Sequence, residues 1–120
     1  MGKFGFEELV KATGYPAELL EEVGLKYLAE NAPEVFKEWV DESLSKFERQ
    51  ILDRKTSELI WVACCAVNNS ALGLKLHAIG ALNAGATKEE IIHALQLASL
   101  VGSHSILGSG GVGVLKEILT

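Results

Sequence analysis

The sequence predicts an all-α protein, a bundle of about six helices that assembles as a homo-oligomer. Three observations carry this. Apolar residues recur at helical spacing over most of the chain, and β-branched alternation is nowhere sustained. Start and stop signals cut that pattern into helix-length pieces, with Pro16, Pro33, Asp53, Ser70 and Thr87 at beginnings and Asn68, Asn69 and Gly85 at ends. Charge is uneven: residues 1–58 hold 13 acids and 8 bases, residues 59–120 only 3 of each. So sparsely charged a second half must be covered, by the first half or by other copies of the chain. A chain of 120 residues is long enough to form one domain, 1–120, with its own core.

Taken in order, a helix of roughly 16–30 places Leu19, Leu20, Val23, Tyr27 and Leu28 on one face, with Pro16 near its first turn. The next, roughly 33–47, opens at Pro33 and aligns Val35, Phe36, Trp39, Val40, Leu44 and Phe47. Both carry acidic outer faces and read as the solvated layer. Asp53 caps a third helix of roughly 54–68, whose middle is apolar all round (Leu59 to Val67) and therefore central and fully buried. Asn68-Asn69-Ser70 breaks it. Ser70 caps a helix of roughly 71–84 that Gly85 stops. Thr87-Lys88-Glu89-Glu90 is a capping box for a helix of roughly 88–101, and a last helix covers about 104–119.

Composition excludes several classes. The net charge of −5 speaks against nucleic acid as a partner. No apolar run approaches the roughly 18–20 residues of a membrane helix. The N-terminus lacks a secretory h-region and a myristoylation signal, so a cytoplasmic location and no membrane partner are expected. Cys64 and Cys65 are adjacent, point about 100° apart on a helix, and read as two small buried hydrophobes rather than a disulfide. His77, His93 and His104 show no metal-ligand spacing, and neither a metal nor a cofactor is expected. Gly108 to Gly113 match GxGxxG, but no strand precedes them and no ribose-binding acid follows. Close packing of the last helix explains them better than dinucleotide binding.

Chemistry concentrates between Glu58 and His77. An acid and an imidazole flank nine consecutive apolar residues, and burying such groups costs several kcal/mol unless they are paired or used. On the helix after Ser70, the residues Ser70, Gly73, His77, Gly80, Ala81 and Ala84 fall within an arc of about 100°. His77 thus stands on a stripe of the smallest side chains. The short break at Asn68–Ser70 folds the two helices into an antiparallel hairpin that sets His77 opposite about residue 61. Glu58 is then within reach, directly or through one water, and can orient the ring. The plainer readings are a core histidine hydrogen-bonded at a helix crossing, and a first-turn acid favoured by the helix dipole. His104 can line a cavity or sit on the surface at a helix start. His93 shares a solvated stripe with Glu89 and Gln96.

The stretches from Asp53 to Ile60 and from His77 to Ile91, above all His-x7-Gly-x-[Ser/Thr]-x-x-Glu-Ile, resemble the carboxymuconolactone decarboxylase family, which includes alkylhydroperoxidase D. The likeness covers about residues 45–115. It implies an alkylhydroperoxidase D-like helical bundle, assembly as a homo-trimer or homo-hexamer, and sites near subunit contacts. The family's peroxidase branch carries a Glu, a Cys-x-x-Cys and a His. Glu58 and His77 match the first and last, while the cysteine positions fall on Ser70 and Gly73. A dithiol peroxidase cycle needs an attacking thiolate and a resolving thiol, and both are missing there. The decarboxylase branch works without thiols and implies a small-molecule lactone acid losing CO₂, with a histidine moving the proton. On that likeness His77 and Glu58 are the candidate catalytic pair, and Ser70, Gly73 and His104 the candidate substrate-binding residues. No clear cationic clamp is expected, since neither Arg49 nor Arg54 obviously reaches the site. Thiol-dependent peroxidase activity and a non-catalytic oligomer with a degenerate pocket are the alternatives.

Overall fold

The structure, a computed structural model, describes residues 5–102 and 112–120. Its described residues contain helices and no strands. The chain divides into two compact units, Met1–Ile51 and Leu52–Thr120.

The first unit holds α1 (Phe6–Thr13), α2 (Ala17–Glu22), α3 (Leu25–Asn31) and α4 (Pro33–Arg49). The first of these lies outside the expected set. Glu8 makes it possible by accepting the Gly5 N–H at 2.7 Å, and Gly14 ends it in the left-handed region at φ +72°. The expected continuous helix of roughly 16–30 is two helices. Gly24 sits at φ +93° between them, a backbone state that breaks the α-helical hydrogen-bond ladder and that only glycine adopts cheaply. The break redirects the apolar face: Leu19, Leu20 and Leu25 are buried, whereas Val23 and Tyr27 are exposed. Likewise Phe36 and Val40 bury their side chains along α4, but Val35 and Trp39 stay exposed, so its apolar stripe is narrower than the sequence pattern. Tyr15 and Phe47 meet edge to face, ring centroids 6.0 Å apart.

The second unit holds α5 (Arg54–Val67), α6 (Ala71–Asn83), α7 (Lys88–Gly102) and α8 (Val112–Leu119). Its boundaries follow side-chain capping. Asp53 accepts the Thr56 N–H at 2.7 Å, and Ser70 accepts the Gly73 N–H at 3.3 Å. The Thr87 box forms in both directions: Thr87 N–H to Glu90 Oε1 at 2.9 Å, and Glu90 N–H to Thr87 Oγ1 at 3.1 Å. Two helix ends close alike. Asn69, at φ +57°, lies where the Ser70 N–H returns to the Cys65 carbonyl and the Asn69 N–H to Ala66. Gly85, at φ +96°, lies where Ala86 returns to Ala81 and Gly85 to Leu82. Each satisfies carbonyls that a helix C-terminus would leave without partners.

The core of this unit joins Val62 and Ala66 of α5, Leu74, Ala78 and Ala81 of α6, Ile91, Leu95 and Ala98 of α7, and Leu115 of α8. The fifth helix is central but not buried on every side. Glu58, Val62 and Ala66 form its inner line, while Ile60, Cys64 and Val67 face outward. An apolar groove of about 360 Å³, floored by Leu95 and Leu115, runs between α7 and α8 and includes neither Glu58 nor His77. Of the expected last helix, only Val112–Leu119 is observed. Residues 104–111, including His104 and most of the glycine-rich run, lie outside the described residues. No helix among the described residues is long and apolar enough to cross a membrane.

Candidate active site

The turn at Asn69 sets the register of the α5–α6 hairpin. Cys65 and Gly73 lie four residues either side of it, Trp61 and His77 eight either side, and both pairs meet. A Cβ built on Gly73 would stand 2.8 Å from Cys65 Sγ and 2.7 Å from Ser70 Oγ, so the helices touch there with room for nothing larger than hydrogen. One turn further along α6, the Trp61 ring lies beside the His77 imidazole, centroids 5.0 Å apart and planes inclined by 39°.

Glu58, one turn before Val62 on the inner line of α5, is completely buried. It is therefore not a solvated first-turn acid. Its two carboxylate oxygens serve different partners. Oε1 meets His77 Nδ1 at 2.8 Å; the contact is direct, and the imidazole is only 18 % exposed. Oε2 accepts from Arg54 Nε at 2.8 Å and Nη2 at 2.7 Å. The expectation that Arg54 stays away from the site is thus wrong. Its position four residues before Glu58 puts both side chains on one helix face, a spacing readable in the sequence. A carboxylate beside a permanently charged guanidinium accepts hydrogen bonds and donates none, so Nδ1 is the protonated nitrogen of the neutral ring. Nε2 is then the basic nitrogen of the neutral ring.

The remaining candidates are placed as follows. Ser70 is exposed, and its hydroxyl caps α6. Gly73 is the close-contact residue of the hairpin, one turn from His77 on the same face. His93 is exposed. Cys64 and Cys65 are free; Cys64 is exposed rather than buried, and Cys65 is partly buried. Burial, aided by neighbouring Cys64 and Glu58, pushes the Cys65 thiol above its ordinary value despite a hydrogen bond with Ser70. No group of three or more histidines, cysteines or acids that could hold a metal ion occurs among the described residues. Sequence reasoning placed residue 61, which is Trp61, opposite His77 but missed Cys65 as the neighbour of Gly73. The hairpin register contained both, because residues equidistant from the turn must face each other.

The motif surrounding His77 is largely architectural. Gly85 supplies a left-handed helix end, Thr87 and Glu90 the capping box, and Ile91 a fully buried core side chain. Glu90 also reaches Lys55 on α5 at 2.9 Å, fastening the helix that carries Glu58 to α7.

Comparison with known proteins bears on the family and the fold. The profile of the carboxymuconolactone decarboxylase family matches residues 33–104. A crystal structure of a Burkholderia xenovorans protein, provisionally described as a carboxymuconolactone decarboxylase, superposes with a TM-score of 0.71 at 25 % identity, covering 92 % of this chain and 89 % of that one. No protein with a curated description matches the chain. The profile spans more than half of the sequence and the fold agrees along nearly all of it, so this chain, with Ser70 and Gly73 rather than a Cys-x-x-Cys pair, belongs to the carboxymuconolactone decarboxylase family.

Proposed function

We propose that the protein is a lyase or isomerase acting on a small carboxylic acid or lactone, with His77 as general acid and base. The carrying observation is the 2.8 Å contact between His77 Nδ1 and the fully buried carboxylate of Glu58. An imidazole with one nitrogen committed to a carboxylate handles protons at the other in a fixed orientation. In a lactone acid, the bond from the ring carbon to its carboxylate breaks and CO₂ leaves. The electron pair stays on the carbon, delocalised toward the lactone carbonyl, and the imidazolium Nε2–H protonates that carbon. His77 is left neutral, with its Nδ1–H on Glu58, and recovers a proton from solvent.

A peroxide-reducing dithiol cycle is less well supported. Ser70 and Gly73 stand at the thiol positions, and the raised Cys65 thiol is a poor source of thiolate. Self-assembly as a trimer or hexamer fits the large apolar side chains that the second unit exposes, among them Ile60, Leu97, Leu100 and Val101.

The test is turnover of lactone acids by wild type and by His77→Ala. A general acid–base group contributes about 10²–10⁴-fold, so the variant should lose at least about a hundredfold in kcat. Equal turnover by both proteins would remove the proposal.

A further inference from the structure

We propose that Arg54 is a positioning residue of this site: acting through Glu58, it holds the carboxylate so that Nδ1 of His77 stays protonated and the proton is exchanged at Nε2. The inference rests on His77 being the proton-handling group.

Three observations carry it. First, the two oxygens of the carboxylate serve different partners. Two guanidinium nitrogens occupy Oε2, at 2.8 and 2.7 Å, and leave Oε1 to the imidazole at 2.8 Å. With Oε2 fixed, rotation of the carboxylate is blocked and Oε1 is aimed at Nδ1. Second, Glu58 is fully buried while the charge of His77 must alternate during a proton-transfer cycle. When the ring is neutral, a buried carboxylate without another counter-ion would pull a proton back onto Nε2 or become protonated itself. A guanidinium stays charged at every working pH and compensates Glu58 in both halves of the cycle.

Third, helix stability gives Arg54 no reason to be where it is. It is the first residue of α5, and the first turn of that helix contains no acid. A cation there opposes the helix dipole, and an arginine placed before its acid is the less favourable order for an (i, i+4) pair. Asp53 already caps the helix through Thr56. The buried carboxylate one turn along, which its guanidinium meets at 2.7–2.8 Å, does account for that position.

Arg54→Gln and Arg54→Lys test this with two readouts. The first needs no substrate: the ¹H and ¹⁵N imidazole resonances of His77, which report which ring nitrogen carries the proton. Wild type should show a single Nδ1–H tautomer with a low-field proton. Arg54→Gln should lose that resonance and mix the tautomers. Arg54→Lys, which restores the charge without the two-pronged geometry, should keep the resonance at a shifted position. The second readout is kinetic. Arg54→Gln should lower kcat on a lactone acid by on the order of tenfold to a hundredfold, part of what a general acid–base group supplies, with KM changed less than about twofold. Arg54→Lys should fall between.

A folded variant of either kind with the wild-type His77 spectrum overturns the inference. If Arg54→Gln does not fold, Arg54→Lys decides alone, because an unshifted resonance there contradicts the positioning role. The two readings can fail separately. An altered spectrum in a protein that turns over no lactone acid sinks the proposed function and keeps the role of Arg54. An active wild type with unaltered variant spectra does the reverse.

Discussion

The two units of this chain use charge in opposite ways. In the first, the observed ion pairs join near neighbours in sequence: Lys26 with Glu21, Lys37 with Asp41, Lys46 with Glu42, every partner at least 45 % exposed. In the second, charges are scarcer, and most pairs cross between helices. Lys55 reaches Glu90 over 35 residues, Lys75 reaches Glu117 over 42, and Glu58 reaches His77 over 19. Among the described residues of this unit only Arg54–Glu58 is local, and its acid is completely buried. The same interaction therefore has different consequences. An exposed pair exchanges water contacts for a weak, screened attraction, and its loss costs little. A buried carboxylate depends on its partners, since removing them leaves a charge or an unsatisfied polar group in an apolar interior.

The strongest way to break this contrast is to remove one acid from each unit. Glu58→Ala leaves Arg54 facing a cavity and strips His77 Nδ1 of its acceptor. Loss of about 3–5 kcal/mol is expected, a large part of the stability of a domain this size. Glu42→Ala, on the exposed face of α4, should leave the denaturation midpoint unchanged. Urea denaturation of both variants beside wild type is the measurement. Equal destabilisation would show that Glu58 is not the buried anchor its geometry implies.

A smaller effect probes how tightly α5 and α6 interlock. Gly73→Ala places a methyl group 2.8 Å from Cys65 Sγ. Overpacking of that kind costs about 1–3 kcal/mol and outweighs the gain of about 1 kcal/mol from replacing glycine within a helix. Cys65→Ala removes one of the two obstacles and leaves Ser70 Oγ at 2.7 Å, so the double variant should recover part of the loss. Additive destabilisation in that cycle would mean that the two residues do not meet.

Much of the second unit was legible in the sequence because its signals are local. Asp53, Ser70, Thr87 with Glu90, and Gly85 each act within a few residues, and the α5–α7 boundaries fell where those residues placed them. The Glu58–His77 pair was legible one step further out, because a short turn between two helices fixes which residues face each other. The first unit was harder. Val23 and Tyr27 keep helical spacing with Leu19 and Leu20, but one glycine at φ +93° resets the phase, and a period count does not register a single backbone angle. Arg54 was missed for a different reason. Its spacing from Glu58 was visible, but two side chains four apart can each turn to solvent. Only the burial of Glu58, a property of the whole packed unit, decides that they meet. Cys64 and Cys65 show the same limit, since an apolar run does not say which of its faces is covered.

The smallest expected effect is the response to acid at two helix starts of the second unit. Asp53 is held below its ordinary value by hydrogen bonds from Thr56, side chain and backbone, which favour the ionised cap. Glu90 is held low by the Thr87 N–H and then by Lys55. A carboxyl whose folded value lies below its unfolded value stabilises the fold above the unfolded value, and that contribution is lost as pH falls through the folded one. The unfolded references are 3.8 for Asp53 and 4.5 for Glu90, so both contributions should be intact at neutral pH and fade below about 4.5. Lys37 has the opposite sign. Its hydrogen bond to Asp41 raises it, so its contribution is complete below the unfolded value of 10.5 and disappears only in strong alkali. Amide hydrogen exchange at pH 7 and at about pH 3.5 should therefore show protection falling in the first turns of α5 and α7. Asp53→Asn keeps a capping oxygen and discards the charge. It should be slightly less protected at neutral pH and lose less on acidification. A variant that loses as much protection as wild type would mean that the Asp53 charge contributes nothing to the acid response.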